Sequence, residues 1–331
     1  MKDMTAAFGL PEPGAASRPG ASMRICESDF PIADIPPEGD FALAVITGIE
    51  GAAYRPLGAA MIIDAKGEIS GSLSSGCLER DVILQAQAAM KAGQPRALRY
   101  GRGSPFLDIQ LPCGGGLDIC ILPNPDRALI ARAIHALRQR QTARIGLHRD
   151  GRLSEAAPGA DDAVLTLEIL PQIRFVVLGA GPEAACFAAL ARQAGYPTEL
   201  HSPDAQTLAR AGFGEPITAM GWPGGLALDP RTAVTLFFHD HGHEPALLQT
   251  ALAGPAFYVG AQGSLRAHRS RCEALRENGV SEADIARLAS PFGLIPSARD
   301  ARTLAVSVLA DVLQRAQSSA QSGTQSGARP A

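Results

Sequence analysis

The sequence contains no apolar run near the ~18 to 20 residues that cross a bilayer. Its N-terminus also lacks the basic start and following apolar stretch of a secretory signal. Both absences predict a cytoplasmic protein. No block of lysine and arginine is interleaved with aromatics. The 30 basic and 33 acidic residues leave a net charge of -3, and aromatics make up only 5%. Nothing in that balance attracts a phosphate backbone, so nucleic acid is not an expected partner. The six cysteines, at 26, 77, 113, 120, 186 and 272, include no C-x-x-C pair. That spacing argues against a structural zinc site and for reduced thiols, most of them small buried hydrophobes. No internal repeat is found.

What is present suffices for folding. Hydrophobic residues make up 46% and charged residues 19% of 331, enough for two sizeable cores, while 35 glycines and 25 prolines promise many turns. Residues 1–38 are rich in Pro, Gly, Ala and Ser without periodicity and read as a disordered arm. Residues 39–148 read as a first domain, with strands at 41–47, 60–64, 107–111 and 117–122 and helices at 78–91 and 127–139. Gly93 stops the first helix. The stretch 149–172 reads as a linker, its Gly/Pro/Asp-containing part at 149–162 making the domain boundary. From 173 to 316 a second domain begins with an apolar strand at 173–178 that runs into a glycine turn, an alanine-rich helix and a strand at 198–201. Further strands are expected at 233–238 and 256–260. This alternation predicts a doubly wound parallel sheet. The polar residues 317–331 read as a disordered tail.

Three constellations carry chemistry. Gly179-x-Gly181-x-x-Ala184 joins a strand to a helix, the place where bare backbone meets a phosphate at a helix N-terminus. An acid expected about 20 residues on, for the ribose of a dinucleotide, is replaced by Ser202, with Asp204 two residues late. Cys77, before Glu79, stands near the first turn of a predicted helix, where a thiolate is favoured. Cys113-Gly114-Gly115-Gly116 puts a second thiol beside a loop without side chains, open to a bulky ligand. His239, Asp240, His241, His243 and Glu244 could suggest a metal site. The histidines leave the strand for a loop, however, so His239 and Asp240 read as ligand-contacting residues at a strand's carboxyl end and the others as solvated. Trp222 reads as a loop anchor.

Gly51-Ala52-Ala53-Tyr54-Arg55-Pro56-Leu57-Gly58-Ala59, then Gly76-Cys77-Leu78-Glu79, then Leu111-Pro112-Cys113-Gly114-Gly115-Gly116 resemble the N-terminal signature of the XdhC/CoxI family. In the second half, Gly179-Ala180-Gly181, His239-Asp240-His241 with Glu244, Tyr258-Val259-Gly260-Ala261-Gln262-Gly263-Ser264 and Ser290-Pro291-Phe292-Gly293-Leu294 resemble its Rossmann-like domain. The resemblance spans about residues 41 to 314 and implies a small N-terminal α/β domain followed by a Rossmann-like doubly wound sheet. It implies a non-catalytic chaperone that binds molybdenum cofactor, as molybdopterin or its cytosine dinucleotide form. Such a chaperone supports sulfuration with a cysteine desulfurase and passes the cofactor to a xanthine or aldehyde dehydrogenase apoenzyme. It also suggests a homodimer.

Carried over, Cys77 and Cys113 would face the metal, and Arg55 its phosphate or oxo groups. Glu79, Gly114, Gly115, Gly179, Gly181, His239, Asp240, Gly260, Gly263 and Ser264 would complete the contacts. Soft thiolates suit this chemistry. The chain departs from the family at Ser202-Pro203-Asp204, where Asp-Pro-Arg is common, at Leu265 in place of arginine, and at Glu244 in place of Asp. Two other readings stand beside this one: a nucleotide-dependent oxidoreductase with redox thiols, and a scaffold that recruits partners without touching cofactor.

Overall fold

The protein is described from a computed structural model covering residues 21–74, 76, 78–104, 111, 114–156, 163–217, 221–239 and 244–322. It divides into two compact units, Met1–Pro171 and Gln172–Ala331.

The first unit contains two sheets. A five-stranded antiparallel sheet has the order β4-β3-β2-β6-β5, from β2 (Phe41–Glu50), β3 (Ala60–Asp64), β4 (Ile69–Gly71), β5 (Arg96–Gly101) and β6 (Gly116–Pro123). The central pair β2 and β6 is buried along nearly its whole length, which is why 41–46 and 119–122 read as unbroken apolar runs. Helix α1 (Glu79–Ala92) lies on this pair with Val82, Ala86 and Ala89 inward, a stripe at helical spacing. It ends at Gly93 in the left-handed conformation, φ 64°, with the Gly93 N–H closing onto Ala89 and Met90 carbonyls.

The second sheet has the order β1-β9-β7-β8, from β1 (Ala21–Cys26), β7 (Ala143–Leu147), β8 (Leu153–Glu155) and β9 (Leu165–Leu170). Helix α2 (Arg127–Arg138) packs against β7 and β8, its N-terminus capped by the Asp126 carboxylate accepting from the Ala128 amide.

This sheet corrects two expectations, and the C-terminal helix a third. Residues 21–26 are no part of an arm, because they pair in parallel with β9. Residues 149–172 are no linker: β8 and β9 lie inside them and the division falls at Pro171/Gln172. Residues 317–322 are no tail, since α8 (Ala301–Ser322) continues through them. Strands β5 and β7 were not anticipated, and the strand expected at 107–111 falls largely outside the described residues.

The second unit is a six-stranded parallel sheet in the order β12-β11-β10-β13-β14-β15. Its strands are β10 (Arg174–Gly179), β11 (Thr198–Ser202), β12 (Glu215–Pro216), β13 (Thr232–Phe237), β14 (Tyr258–Ala261) and β15 (Leu288–Ala289). The order reverses between β10 and β13, as in Rossmann folds. Helices α3 (Pro182–Gln193) and α8 cover one face around Phe175, Phe187 and Phe237. Helices α5 (Glu244–Ala253) and α6 (Leu265–Glu277) cover the other around Val176, Leu178 and Val234. Two short helices complete the unit, α4 (Ala205–Ala211) and α7 (Glu282–Ile285).

Candidate functional site

The pairings Glu50↔Gly116, Gly101↔Gly116 and Met61↔Gly71 bring the ends of β2, β4 and β5 and the starts of β3 and β6 to one end of the five-stranded sheet. Segments 51–59, 72–78 and 102–115 all leave from that end. The first carries Arg55, the second leads into Glu79, and the third carries Gly114 and Gly115. Cys77 and Cys113 belong to the same segments in sequence but lie outside the described residues.

The Glu79 carboxylate, at the first helical position of α1, turns back onto the segment before it. It accepts from the hydroxyls of Ser72 (3.0 Å) and Ser74 (2.8 Å) and from the amides of Ser74 (2.9 Å) and Leu78 (3.1 Å). Burial by itself would raise its pKa, but these hydrogen bonds together hold it below the ordinary value. Both oxygens are thus committed to shaping the entry to α1, the place of Gly76 and its thiol neighbour in sequence. Among the described residues, Gly76 (φ 95°) and Gly114 (φ 69°) have nothing within 4 Å of where a Cβ would stand. Gly115 is the opposite: a Cβ there would stand 2.7 Å from the Glu50 carbonyl oxygen. Arg55 is tied through Nη2 to Asp29 at 2.8 Å, while its Nε is buried without a hydrogen-bond partner. A buried donor in that state is costly unless an acceptor arrives.

Sequence reading missed the ionic group that joins these segments. Arg99 on β5 donates through Nη1 to Asp118 of β6 (2.9 Å), through Nη2 to Glu50 of β2, and through Nε to the Arg102 carbonyl (2.9 Å). A Cβ on Gly116 would stand 2.6 Å from Arg99 Nη2, so bare backbone there lets the guanidinium lie flat. No spacing in the sequence links positions 50, 99 and 118. The only sign is an arginine two residues before Gly101, alternating with inward Leu98 and Tyr100.

In the second unit the glycine turn sits at the switch point. A Cβ on Gly179 would collide with the Phe237 carbonyl oxygen, so this glycine serves strand-to-strand approach. Gly181 caps α3 at φ 100°, and its N–H donates to Thr207 Oγ1 at 2.8 Å. Thr207 in turn donates to Asp204 (2.6 Å), whose carboxylate also accepts from the Gln206 and Thr207 amides at the start of α4. These bonds, the Thr207 hydroxyl first, hold the Asp204 pKa below its ordinary value. The Glu183 Oε2 stands 3.3 Å from the Cβ position of Gly181 and 3.4 Å from the exposed His239 Nε2. The turn therefore faces a carboxylate, and the late acid of the sequence reading is a helix cap. Neither favours a dinucleotide phosphate.

Gly260 is bare to admit the Phe292 ring, which would lie 2.7 Å from a Cβ there, so two stretches of the resemblance pack on one another. Ser264 caps α6, accepting from the Ala267 amide at 3.2 Å, and Gly263 precedes it at φ 154° beside Arg271. Glu244, expected in solvent, is instead buried against Arg271 in a bidentate pair of 2.8 and 3.0 Å. Arg271 also donates to the Gln262 carbonyl at 2.8 Å. Trp222 donates its indole N–H to the Leu226 carbonyl at 2.8 Å, as a loop anchor does. Asp240, His241 and His243 lie outside the described residues. Among the described residues no cluster of three or more His, Cys, Asp or Glu side chains is placed to hold a metal.

A family model described as the XdhC and CoxI family matches residues 37–101, and one described as the XdhC Rossmann domain matches residues 175–312. An Escherichia coli protein named molybdenum cofactor insertion chaperone PaoD is 33% identical over 277 residues, covering 82% of this chain and 81% of that protein. The chain belongs to the XdhC and CoxI family. A Bacillus subtilis relative, named as a probable component of xanthine dehydrogenase, is 26% identical, over 82% of this chain and 92% of that protein. The fold is shared with a Bacillus halodurans crystal structure titled as a xanthine dehydrogenase, at TM-score 0.70 and 21% identity, covering 89% of this chain and 96% of that one.

Among the family positions expected to contact cofactor, the described residues of the first unit, Arg55, Glu79, Gly114 and Gly115, lie on or directly after segments that leave one end of the five-stranded sheet, Arg55 being tied to Asp29. Those of the second unit, Gly179, Gly181 and His239, gather at its switch point. Gly260, Gly263 and Ser264 lie along β14 and the turn into α6.

Proposed function

We propose that this chain is a chaperone that holds molybdenum cofactor as cargo and delivers it to a molybdenum hydroxylase apoenzyme of the xanthine or aldehyde dehydrogenase type. The observation that carries the reading is the end of the five-stranded sheet. Among the described residues nothing lies within 4 Å of the Cβ positions of Gly76 and Gly114, next to the two thiol positions in sequence, and Arg55, on the segment that leaves β2 at that end, has a buried guanidinium nitrogen without an acceptor. Thiolates suit the metal end of the cargo, and a guanidinium suits its phosphate or oxo oxygens. The identity to an insertion chaperone, spanning 82% of this chain, supports the same reading. On this proposal the cargo is molybdopterin or its cytosine dinucleotide form, and a cysteine desulfurase supplies the terminal sulfur. The protein binds and hands over its cargo without turnover, in the cytoplasm and as a homodimer.

The test is anaerobic binding of each cofactor form to the purified protein and to its Cys77→Ala and Cys113→Ala variants, with molybdenum and pterin quantified after gel filtration. The expected result is about one cofactor retained per chain by the wild type and a loss of at least about tenfold in a cysteine variant, as when 1.4 kcal/mol of binding is removed. Absence of retention by every form overturns the proposal. Unimpaired retention and target activation by both cysteine variants would assign the thiols no part in it.

A further inference from the structure

Glu50, Arg99 and Asp118 come from three different strands, yet they converge on the backbone that flanks the cofactor segments. The Arg99 side chain is 19% exposed and Asp118 12%, so the pair is mostly out of water, while Glu50 at 44% lies toward the rim beside Arg102, 3.4 Å away. The guanidinium uses all three of its nitrogens: one for β6, one for β2, and Nε for the carbonyl of Arg102 in the segment after β5. The Arg102 amide then donates to the Gly115 carbonyl at 2.9 Å, and the Gly114 amide donates to the Leu111 carbonyl at 2.9 Å. Leu111 is buried, and its side chain lies 2.8 Å from the Cβ position of Gly101. Leu111 is thus seated on the end of β5, and Gly115 is bonded through Arg102 to Arg99. The sheet has no need of this arrangement for its ladder, since β5, β6 and β2 are already joined by backbone pairing up to Gly101, Gly116 and Glu50. What the guanidinium adds is a fixed relation between the ends of these strands and the segment that runs from β5 to β6.

We propose that Arg99 is a positioning residue for cofactor binding: by clamping Glu50, Asp118 and the Arg102 carbonyl it fixes the backbone at Arg102 and Gly114–Gly116, next in sequence to Cys113, where the cargo is received. The clamp rests on the chaperone reading given above. It requires the planar fork of arginine, because a lysine ammonium keeps the charge but donates from a single nitrogen, whereas the three acceptors here are met by three separate nitrogens.

The test compares the full-length wild type, Arg99→Lys, and the paired variant Arg99→Gln/Asp118→Asn, which removes both mostly buried charges together and so leaves neither unpaired. Three quantities are read on each: the dissociation rate of molybdenum cofactor, the alkylation rate of each cysteine by iodoacetamide with peptide mass spectrometry, and the thermal midpoint. Cys120 on β6 is fully buried, and its thiol pKa is pushed up to about 12 by burial, so its labelling reports opening of the sheet itself.

The expected result in Arg99→Lys is cofactor release faster by about tenfold and a Cys113 alkylation rate changed by about fivefold or more, with Cys120 still protected. The paired variant is expected to behave in the same way. Unchanged release and unchanged Cys113 labelling in a folded variant overturn the proposal. So does a change seen only when Cys120 becomes labelled too, since Arg99 would then merely support the sheet. A wild type that never retains cofactor overturns the chaperone reading itself, an outcome separate from either of these.

Discussion

Glu79 is a carboxylate whose two oxygens face donors of its own chain. Its folded pKa lies below the ordinary value of 4.5, because burial, which would raise it, is outweighed by the hydrogen bonds from the Ser74 hydroxyl and amide, its own amide and the Ser72 hydroxyl. The stabilisation is therefore complete above about pH 4.5 and is lost as the pH falls through the depressed folded value. Glu79→Gln keeps the shape but removes the charge that strengthens these bonds. It is expected to cost about 1–2 kcal/mol in urea unfolding at pH 7. The gap to wild type is expected to close as the pH drops below 4.5. A gap that persists undiminished at about pH 3 would mean that the charge plays no part. Arg55 is a different case at this scale. One of its nitrogens has a partner in Asp29 and another, though buried, has none among the described residues.

Among the elements, α5 and α6 are joined by a buried ion pair. Arg271 and Glu244 have side chains 3% and 1% exposed, and Arg271 reaches on to the carbonyl at the end of the β14 turn. Such a pair is strongly destabilising to break and nearly neutral to replace as a whole. Glu244→Ala is expected to lower stability by about 3–5 kcal/mol because it strands a buried guanidinium. The double variant Glu244→Leu/Arg271→Met is expected to recover most of that loss. A double-mutant cycle by chemical denaturation checks both. Equal losses in the single and double variants would show that the geometry, rather than the unpaired charge, was at issue. The charge-conserving departure from Asp to Glu at 244 has its physical counterpart here: the side chain that occupies the position is a bidentate partner of Arg271.

At the scale of the whole molecule, the chain combines an N-terminal unit built on two sheets with a Rossmann unit whose switch point is altered. The Gly181 amide is taken by Thr207, a carboxylate from Glu183 stands beside the turn, and Asp204 caps a helix. A nucleotide bound at about 100 times its Kd would add about 2.7 kcal/mol and raise the thermal midpoint by about 5 °C or more. Millimolar NAD is expected to leave the midpoint of this protein unmoved, as read by differential scanning calorimetry. A rise of that size would restore the oxidoreductase reading. Among the described residues no helix is long and apolar enough to cross a membrane.

Local signals in the sequence determined the central strands of both units and three of their helices. The apolar runs at 41–46 and 173–178 each fill a strand buried on both faces, the Val82, Ala86 and Ala89 spacing lies on the sheet side of α1, and Gly93 stops that helix in the left-handed conformation only glycine adopts freely. The strands at 21–26 and 165–170 escaped for a shared reason. Each is six residues long and lies beside Gly- and Pro-rich sequence, and the two pair with each other across more than a hundred residues, although β9 also has β7 as a nearer partner. The Leu165, Leu167 and Ile169 alternation was present, but no local feature shows that residues 21–26 complete its sheet.

The candidate site divides in the same way. Glycines and cysteines announce themselves through composition and neighbours. The commitment of Glu79 to its own loop, the burial of Glu244 with Arg271, the closing of the glycine turn by Thr207 and the convergence of Arg99 on Glu50 and Asp118 were decided by tertiary structure alone. Hydrogen bonds and ion pairs depend on distances between side chains, most of them far apart in sequence, and those distances exist only once the sheets have formed.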